Sequence, residues 1–423
     1  MYTRRIRIVL VNLLCIVAGA GVSGQQAGFE LVVSSSSGIR WDISENEPAY
    51  TQRFRGSFGG TALLGEHALL RLLAFAEYTP GEGDFLDGTY LIDLEQLFLE
   101  VQQNDVGSGR LVYRVGRYSF ADRTRRVVLH PADGLRVRGD FGRNAVRFDA
   151  AYTGLVLQPS SRILLTNEDA LLLAATGETV IFGPGRLLTR TGFGRRTEAG
   201  GEAGVELLTQ WDMPNVLPPD TVSSGEQYHS GFLTVYFEQP LREQLVLNTS
   251  AILGVGAVFP EPSLSGVEVS LLLEALLEYY PGASNRNVLT AAFVSASSAE
   301  VGLADYRPVT AVNLGRVEPV PAAGHAQLSA AWATRPFLTG PFSGLQIVVD
   351  SRGILRLGRS QESELVNADS EAIFLGLDSG LSLRYRPVSD VALSASVFGF
   401  VPARDIAVES AVLSGSLQVT VSF

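Results

Sequence analysis

From Leu413 to Phe423 the chain alternates without a break. Leu413, Leu417, Val419, Val421 and Phe423 fall on one face, with Gly415 in one slot, and Ser414, Ser416, Gln418, Thr420 and Ser422 fall on the other. A side-chain period of two is that of a β-strand, so this segment has one apolar and one polar face. The pattern recurs. Leu245, Leu247, Ala251, Leu253, Val255, Ala257 and Phe259 form one such face, and Val146, Phe148, Ala150 and Tyr152 another, opposite Arg147 and Asp149. Val267 to Tyr279 repeats it opposite Glu268, Ser270, Glu274 and Glu278. Glu274 and Glu278 are also at helical spacing, but the long period-two apolar face favours a strand. In a soluble sheet the two faces are core and water; in a membrane barrel they are lipid and lumen. On the second reading Val269 faces hydrocarbon and Ser270 a wet lumen.

The spacing of these segments carries topology. Seven strands are read from the N-terminal side, up to a pair joined by Gly142-Arg143-Asn144, and ten from the C-terminal side, starting near 203. Long and short connections alternate, as they do in outer-membrane barrels, which have short periplasmic turns and longer outer loops. The directions match across 158–202 only if one more strand lies there, and Thr179 to Thr189 is the candidate. The expectation is an all-β fold: a transmembrane antiparallel up-and-down β-barrel of about 18 strands, with 16 as the alternative. So many long strands do not stay in one open sheet, and closure removes the edges. Within 158–202, Thr166-Asn167-Glu168-Asp169 reads as a helix start, followed by apolar Ala170–Ala175, a short helix that should fold into the pore mouth or against the rim.

Composition removes other classes. All 33 basic residues are arginine, against 44 acids, for a net charge of −11. An acidic chain of this kind makes nucleic acid an unlikely partner. Arg4, Arg5 and Arg7, the apolar run Ile8–Ala18 and the small residues up to Gly24 read as a secretory signal peptide over 1–24. Residues 25–423 then form a single barrel domain with a loop insertion at about 158–202. Cys15 lies in the signal, so the mature chain offers no disulfide or thiolate metal site. The longest uncharged mature stretch, Gln244–Pro260, is too short and too polar for a spanning helix.

The strand ending on Phe423 resembles the C-terminal signal of bacterial outer-membrane β-barrels. The resemblance makes Phe423, Val421, Val419 and Leu417 an assembly signal, with the barrel-assembly machinery and outer-membrane lipid as partners.

Catalytic patterns are missing: the four histidines lack metal-ligand spacing, and neither a nucleophile elbow nor a phosphate loop is found. No enzyme activity, metal or cofactor is expected. The suggestive cluster lies between 110 and 150. With Leu111, Tyr113, Val115, Leu135, Val137, Phe141, Val146 and Phe148 facing out, Arg114, Arg136, Arg138, Asp140, Arg147 and Asp149 line one lumen wall. They either set solute preference or brace the wall, and both roles can hold at once. The stretch Tyr113-Arg114-Val115-Gly116-Arg117-Tyr118-Ser119-Phe120, followed by His130-Pro131-Ala132-Asp133-Gly134-Leu135-Arg136, resembles part of the alginate-export-type large porins. That resemblance implies an eighteen-stranded channel with a basic lumen.

The expectation is therefore an outer-membrane, porin-like channel for passive diffusion of small polar or anionic solutes. A loop-plugged barrel with a binding or structural role, and a soluble exported β-protein, are the alternatives. Export predicts a mature terminus near Gln25; mass spectrometry finding an intact Met1 on exported protein would contradict it.

Overall fold

The structure is a computed structural model. It describes residues 27–43, 48–80, 88–107, 109–154, 162–166, 169–170, 184–213, 227–259, 266–282, 286–299, 302–358, 372–403 and 411–423. The signal segment 1–24 lies outside the described residues.

Eighteen strands follow in chain order: β1 Ala27–Asp42, β2 Pro48–Leu63, β3 Ala68–Thr79, β4 Thr89–Val106, β5 Gly109–Ala121, β6 Leu129–Phe141, β7 Asn144–Tyr152, β8 Arg186–Arg196 and β9 Glu202–Asp212. The second half is β10 Gln227–Arg242, β11 Leu245–Phe259, β12 Glu268–Tyr279, β13 Asn287–Ala296, β14 His325–Thr334, β15 Gln346–Arg356, β16 Phe374–Val388, β17 Val391–Pro402 and β18 Val412–Ser422. Each strand pairs antiparallel with its sequence neighbours, and β1 pairs with β18, so the sheet closes on itself. At the seam, Phe423 N donates to Leu31 O (2.8 Å) and Leu31 N to Phe423 O (3.2 Å).

The eighteen-strand expectation holds, but the strand sought at Thr179–Thr189 starts later. β8 begins at Arg186, and the stretch up to Phe182 lies outside the described residues. The helix start at Thr166 is present. Thr166 Oγ1 accepts the Asp169 N–H (3.2 Å), while the Asp169 carboxylate accepts the Thr166 N–H (2.8 Å), a reciprocal cap. The body of that helix, from 171, lies outside the described residues.

The apolar faces point outward. Val115 is 55 % exposed, Leu417 55 %, Val397 59 % and Ile92 61 %, and the same face continues around the barrel through Leu207, Val235, Leu253, Leu273 and Phe293. A continuous apolar belt of this kind has no stable place in water and matches hydrocarbon. Aromatic groups gather at both strand ends. Tyr78 and Tyr90 meet in a tilted pair at one end (4.6 Å between ring centres), where Trp211, His229 and Phe259 also group; Phe337, Phe342 and Tyr385 group at the other. Rings flanking an apolar band are the pattern of the two membrane interfaces.

The lumen differs from the sequence expectation in one respect. Ser270 faces inward as expected, but it is buried rather than wet: an added Cβ on Gly254 would meet its hydroxyl at 2.5 Å, with Phe232 alongside. Inward side chains of β8 to β13, including Leu188, Leu208, Phe232, Ile252, Leu272 and Val294, pack with Tyr306, Val309 and Leu314 of the 297–324 connection. The lumen there holds a hydrophobic core. On β18, by contrast, the inward Ser416 and Gln418 are exposed.

This contrast gives a test on one strand. Val419→Arg places a charge in the apolar belt and should cost about 2–4 kcal/mol if it lies near the midplane. Gln418→Arg should fold nearly as the parent. Heat-modifiability on gels and thermal unfolding in detergent would show the difference; equal loss in both variants would refute the face assignment.

Candidate channel wall and constriction

Successive inward positions of β5, β6 and β7 are register neighbours: Arg114 faces Arg136, Arg136 faces Asp149, and Arg138 faces Arg147. The alternation of apolar and charged residues on these strands turns the charges inward together, because Val115, Leu135, Val146 and Phe148 are exposed on the outer face. All six residues singled out from the sequence, Arg114, Arg136, Arg138, Asp140, Arg147 and Asp149, thus lie on one wall.

Within that wall they divide into two groups. Asp149 is fully buried and serves three guanidinium groups: Oδ1 accepts from Arg136, and Oδ2 accepts from Arg147 Nε (2.9 Å) and Arg190 Nη2 (2.6 Å). Arg190, on β8, is itself fully buried, lies 5.1 Å over the Phe120 ring and donates to Ala121 O. Arg136 is 13 % exposed and sits 4.4 Å over Tyr118. This group braces the wall. The second group remains open: Arg138 is 51 % exposed and Arg110 48 %, and both pair with Asp140, which is 21 % exposed. Arg147, at 33 %, links the two groups. Arg114 pairs with Glu100 and lies 4.2 Å over Phe98.

Sequence reading missed several members. Arg190 and Glu206, the latter 3.7 Å from Arg190, come from β8 and β9, beyond the stretch in which the cluster was sought. Glu100 comes from β4. Period-two alternation carries their inward direction, but their proximity depends on register across strands. Arg117, from the Arg114-Val115-Gly116-Arg117 stretch, instead pairs with Asp133 (2.7 Å) and donates to Leu94 O (2.6 Å). It follows Gly116, whose φ of +119° and close approach to Leu97 O leave no room for a Cβ.

Two connections cross the lumen above this wall. The 122–128 loop is tied down by Asp122, whose carboxylate accepts N–H groups from Thr124, Arg126, Val127 and Val128 at 2.8–3.3 Å. From that fixed turn Arg123 reaches Glu238 on β10 (3.2 Å) and Arg126 reaches Glu274 on β12. The 297–324 connection then locks onto it. Val309 N and Thr310 N donate to Val127 O, and Tyr306 Oη donates to Arg126 O (3.1 Å). Burial holds the Tyr306 phenol well above its ordinary pKa, so it stays a donor. The far part of the connection is fixed by Arg316 to Asp350 (2.9 Å), by Val317 N to Asp378 (3.2 Å) and by Arg40 to Val317 O (2.8 Å). Its apolar residues Val317 and Val320 pack on Ile354, Leu375, Phe400 and Val412. Among the described residues these two connections cross the lumen; the expected helix, from 171 on, lies outside those residues.

No protein-family model matches the sequence, and none of the curated proteins does. The fold does match solved structures. It superposes on Pseudomonas aeruginosa OccK2 (OpdF) with a TM-score of 0.61 at 11 % identity, over 94 % of this chain and 98 % of that one. The P. aeruginosa outer membrane protein opdK gives 0.59 at 12 % identity, over 94 % and 98 %. OccK2 (OpdF) in complex with glucuronate gives 0.59 at 11 % identity, over 95 % and 98 %. At these identities the likeness is one of fold. It is a likeness to these barrels, not to the alginate-export-type porins in particular, which the Tyr113–Arg136 stretch resembles.

The wall predicts a stability difference. Asp149→Asn leaves three guanidiniums without their shared carboxylate and should cost about 3–5 kcal/mol, as breaking a buried ion pair does. Asp140→Asn removes an exposed pair and should cost less than about 1 kcal/mol. Thermal unfolding of the folded barrels in detergent measures both; equal losses would mean that Asp149 is not the brace.

Proposed function

We propose that the protein is an outer-membrane channel for passive diffusion of small polar solutes, with a preference for anions set by the β5–β8 wall. The observation that carries this reading is the unequal exposure of the two signs of charge. Arg138, Arg110 and Arg147 present open guanidiniums, while their carboxylate partners Asp149 and Asp140 are fully or largely covered. A solute passing the wall meets positive charge, although the whole chain carries −11. Fixed charge on a pore wall raises the local concentration of counter-ions and acts over roughly 8 Å at physiological salt. The likeness to an OccK2 structure holding glucuronate, a carboxylate, supports the same direction.

This reading implies insertion into outer-membrane lipid by the barrel-assembly machinery, after removal of residues 1–24. The strand that ends on Phe423 would supply the assembly signal, with Phe423, Val419 and Leu417 exposed on the outer face. The crossing of the lumen by the 122–128 and 297–324 connections favours a second reading, a closed barrel with a binding or structural role. Conductance separates the two.

The test is single-channel recording in planar bilayers under a salt gradient. The parent should conduct with an anion-selective reversal potential. Arg138→Gln with Arg147→Gln should shift that potential toward cations, and the shift should shrink as salt rises. An unchanged potential at low salt would reduce the wall to bracing, and a silent parent would favour the closed barrel.

A further inference from the structure

Behind the 297–324 connection, at the long-loop end of β8 to β11, lies a cavity of about 360 Å³ that is separate from the arginine wall. That volume is in the range of small-molecule sites. One side is apolar and bare: Leu164 is 40 % exposed, Leu165 49 % and Val258 41 %. Val258 is on the inward face of β11, in register with Tyr228 and next to the outward Ala257 and Phe259, so its exposure is not to lipid. Large apolar side chains left open to water in a concave place mark a binding surface.

The other side is polar and unequal in charge. Three of the carboxylates near it are already engaged, and a fourth, Glu268, acts electrostatically on the Tyr228 phenol, as Arg307 does. Asp169 and Asp212 both pair with Arg186, which is 1 % exposed, and Asp305 accepts the Ala299 N–H (3.0 Å). Arg307, which lines the cavity, is exposed and has no ion-pair or hydrogen-bond partner among the described residues. Arg186 Nε, in the same lining, is buried and also lacks a hydrogen-bond partner. The cavity thus joins an apolar floor to an available guanidinium.

We infer that this cavity is a binding site for an amphipathic anion, a single carboxylate on a short apolar body, held by Arg307 at the charged end and by Leu164, Leu165 and Val258 at the other. Arg suits this role because its planar fork accepts a carboxylate with two parallel hydrogen bonds. The site goes beyond the channel reading, since it binds whether or not the lumen conducts.

Titration calorimetry on the folded full-length protein in detergent tests it, with hexanoate as the probe and acetate and hexan-1-ol as half-probes. Hexanoate should bind saturably, and each half-probe more weakly. Arg307→Gln should weaken hexanoate by about tenfold or more, the loss of one charge-assisted pair. Val258→Asp, which sets a repelling carboxylate on the apolar side, should do the same in a barrel that keeps its heat-modifiability. Arg138→Gln with Arg147→Gln should leave binding unchanged. The inference falls if the parent shows no saturable binding, if Arg307→Gln binds as the parent does, if acetate matches hexanoate, or if the Arg138 and Arg147 changes abolish binding equally.

Discussion

Closure is the constraint on which this structure depends. In hydrocarbon a backbone N–H or C=O without a partner costs several kcal/mol, so a sheet can sit there only if it has no edge. The pairing of β1 with β18, completed by the two hydrogen bonds between Leu31 and Phe423, removes the last edge. Once the sheet is closed, period-two alternation allots every side chain to one of two solvents. The outer face becomes an apolar belt with rings at its ends, and the inner face must satisfy everything else. The arginines, the carboxylates and the loops all follow from that second requirement.

A barrel of eighteen strands is too wide for its wall side chains to fill. This protein fills part of the space with chain. The 122–128 loop spans from β5 and β6 to β9, β10 and β12, and the 297–324 connection rests on it and runs on to β15, β16 and β1. Both are held by apolar packing and polar contacts together, in different proportions at different places. Over β8 to β13 the contact is largely hydrophobic, through inward Leu188, Leu208, Phe232, Ile252, Leu272 and Val294, with buried polar residues such as Arg190, Glu206 and Ser270 on the same strands. Over β15, β16 and β1 an ion pair between Arg316 and Asp350 and hydrogen bonds to Asp378 and from Arg40 join the apolar packing of Val317 and Val320. The hydroxyl-bearing inward faces of β17 and β18, with Ser394, Ser396, Ser416 and Gln418 at least partly exposed, are left to the open part of the lumen.

Buried charge on the wall is arranged so that each carboxylate is shared. Asp149 alone would not be stable at full burial, nor would Arg190; together with Arg136 and Arg147 they satisfy one another's hydrogen bonds, and the rings of Phe120 and Tyr118 cover the guanidinium faces. The result is a buried inner layer of charge with an exposed outer layer, Arg138 and Arg110, in front of it. Bracing and solute preference are therefore carried by different members of one cluster.

The sequence by itself determined the strand class, a count of about eighteen strands with sixteen as the alternative, and the face on which the alternating residues lie. Those follow from a local period of two and from the alternation of long and short connections, both of which are written along the chain. The inward direction of Arg114, Arg136, Arg138, Asp140, Arg147 and Asp149 was legible for the same reason. What only the tertiary structure decided is what lies in front of each inward face. Ser270 and Gln418 look alike in sequence, each a polar residue between apolar neighbours, yet one is buried beside Gly254 and the other is open. The choice between them rests on where a connection of 28 residues folds back, and on contacts such as Val309 to Val127 between residues 182 apart. Such contacts leave no periodic trace. The sharing of Asp149 by Arg190, 41 residues away, is of the same kind: alternation points both side chains inward, but only strand register brings them together.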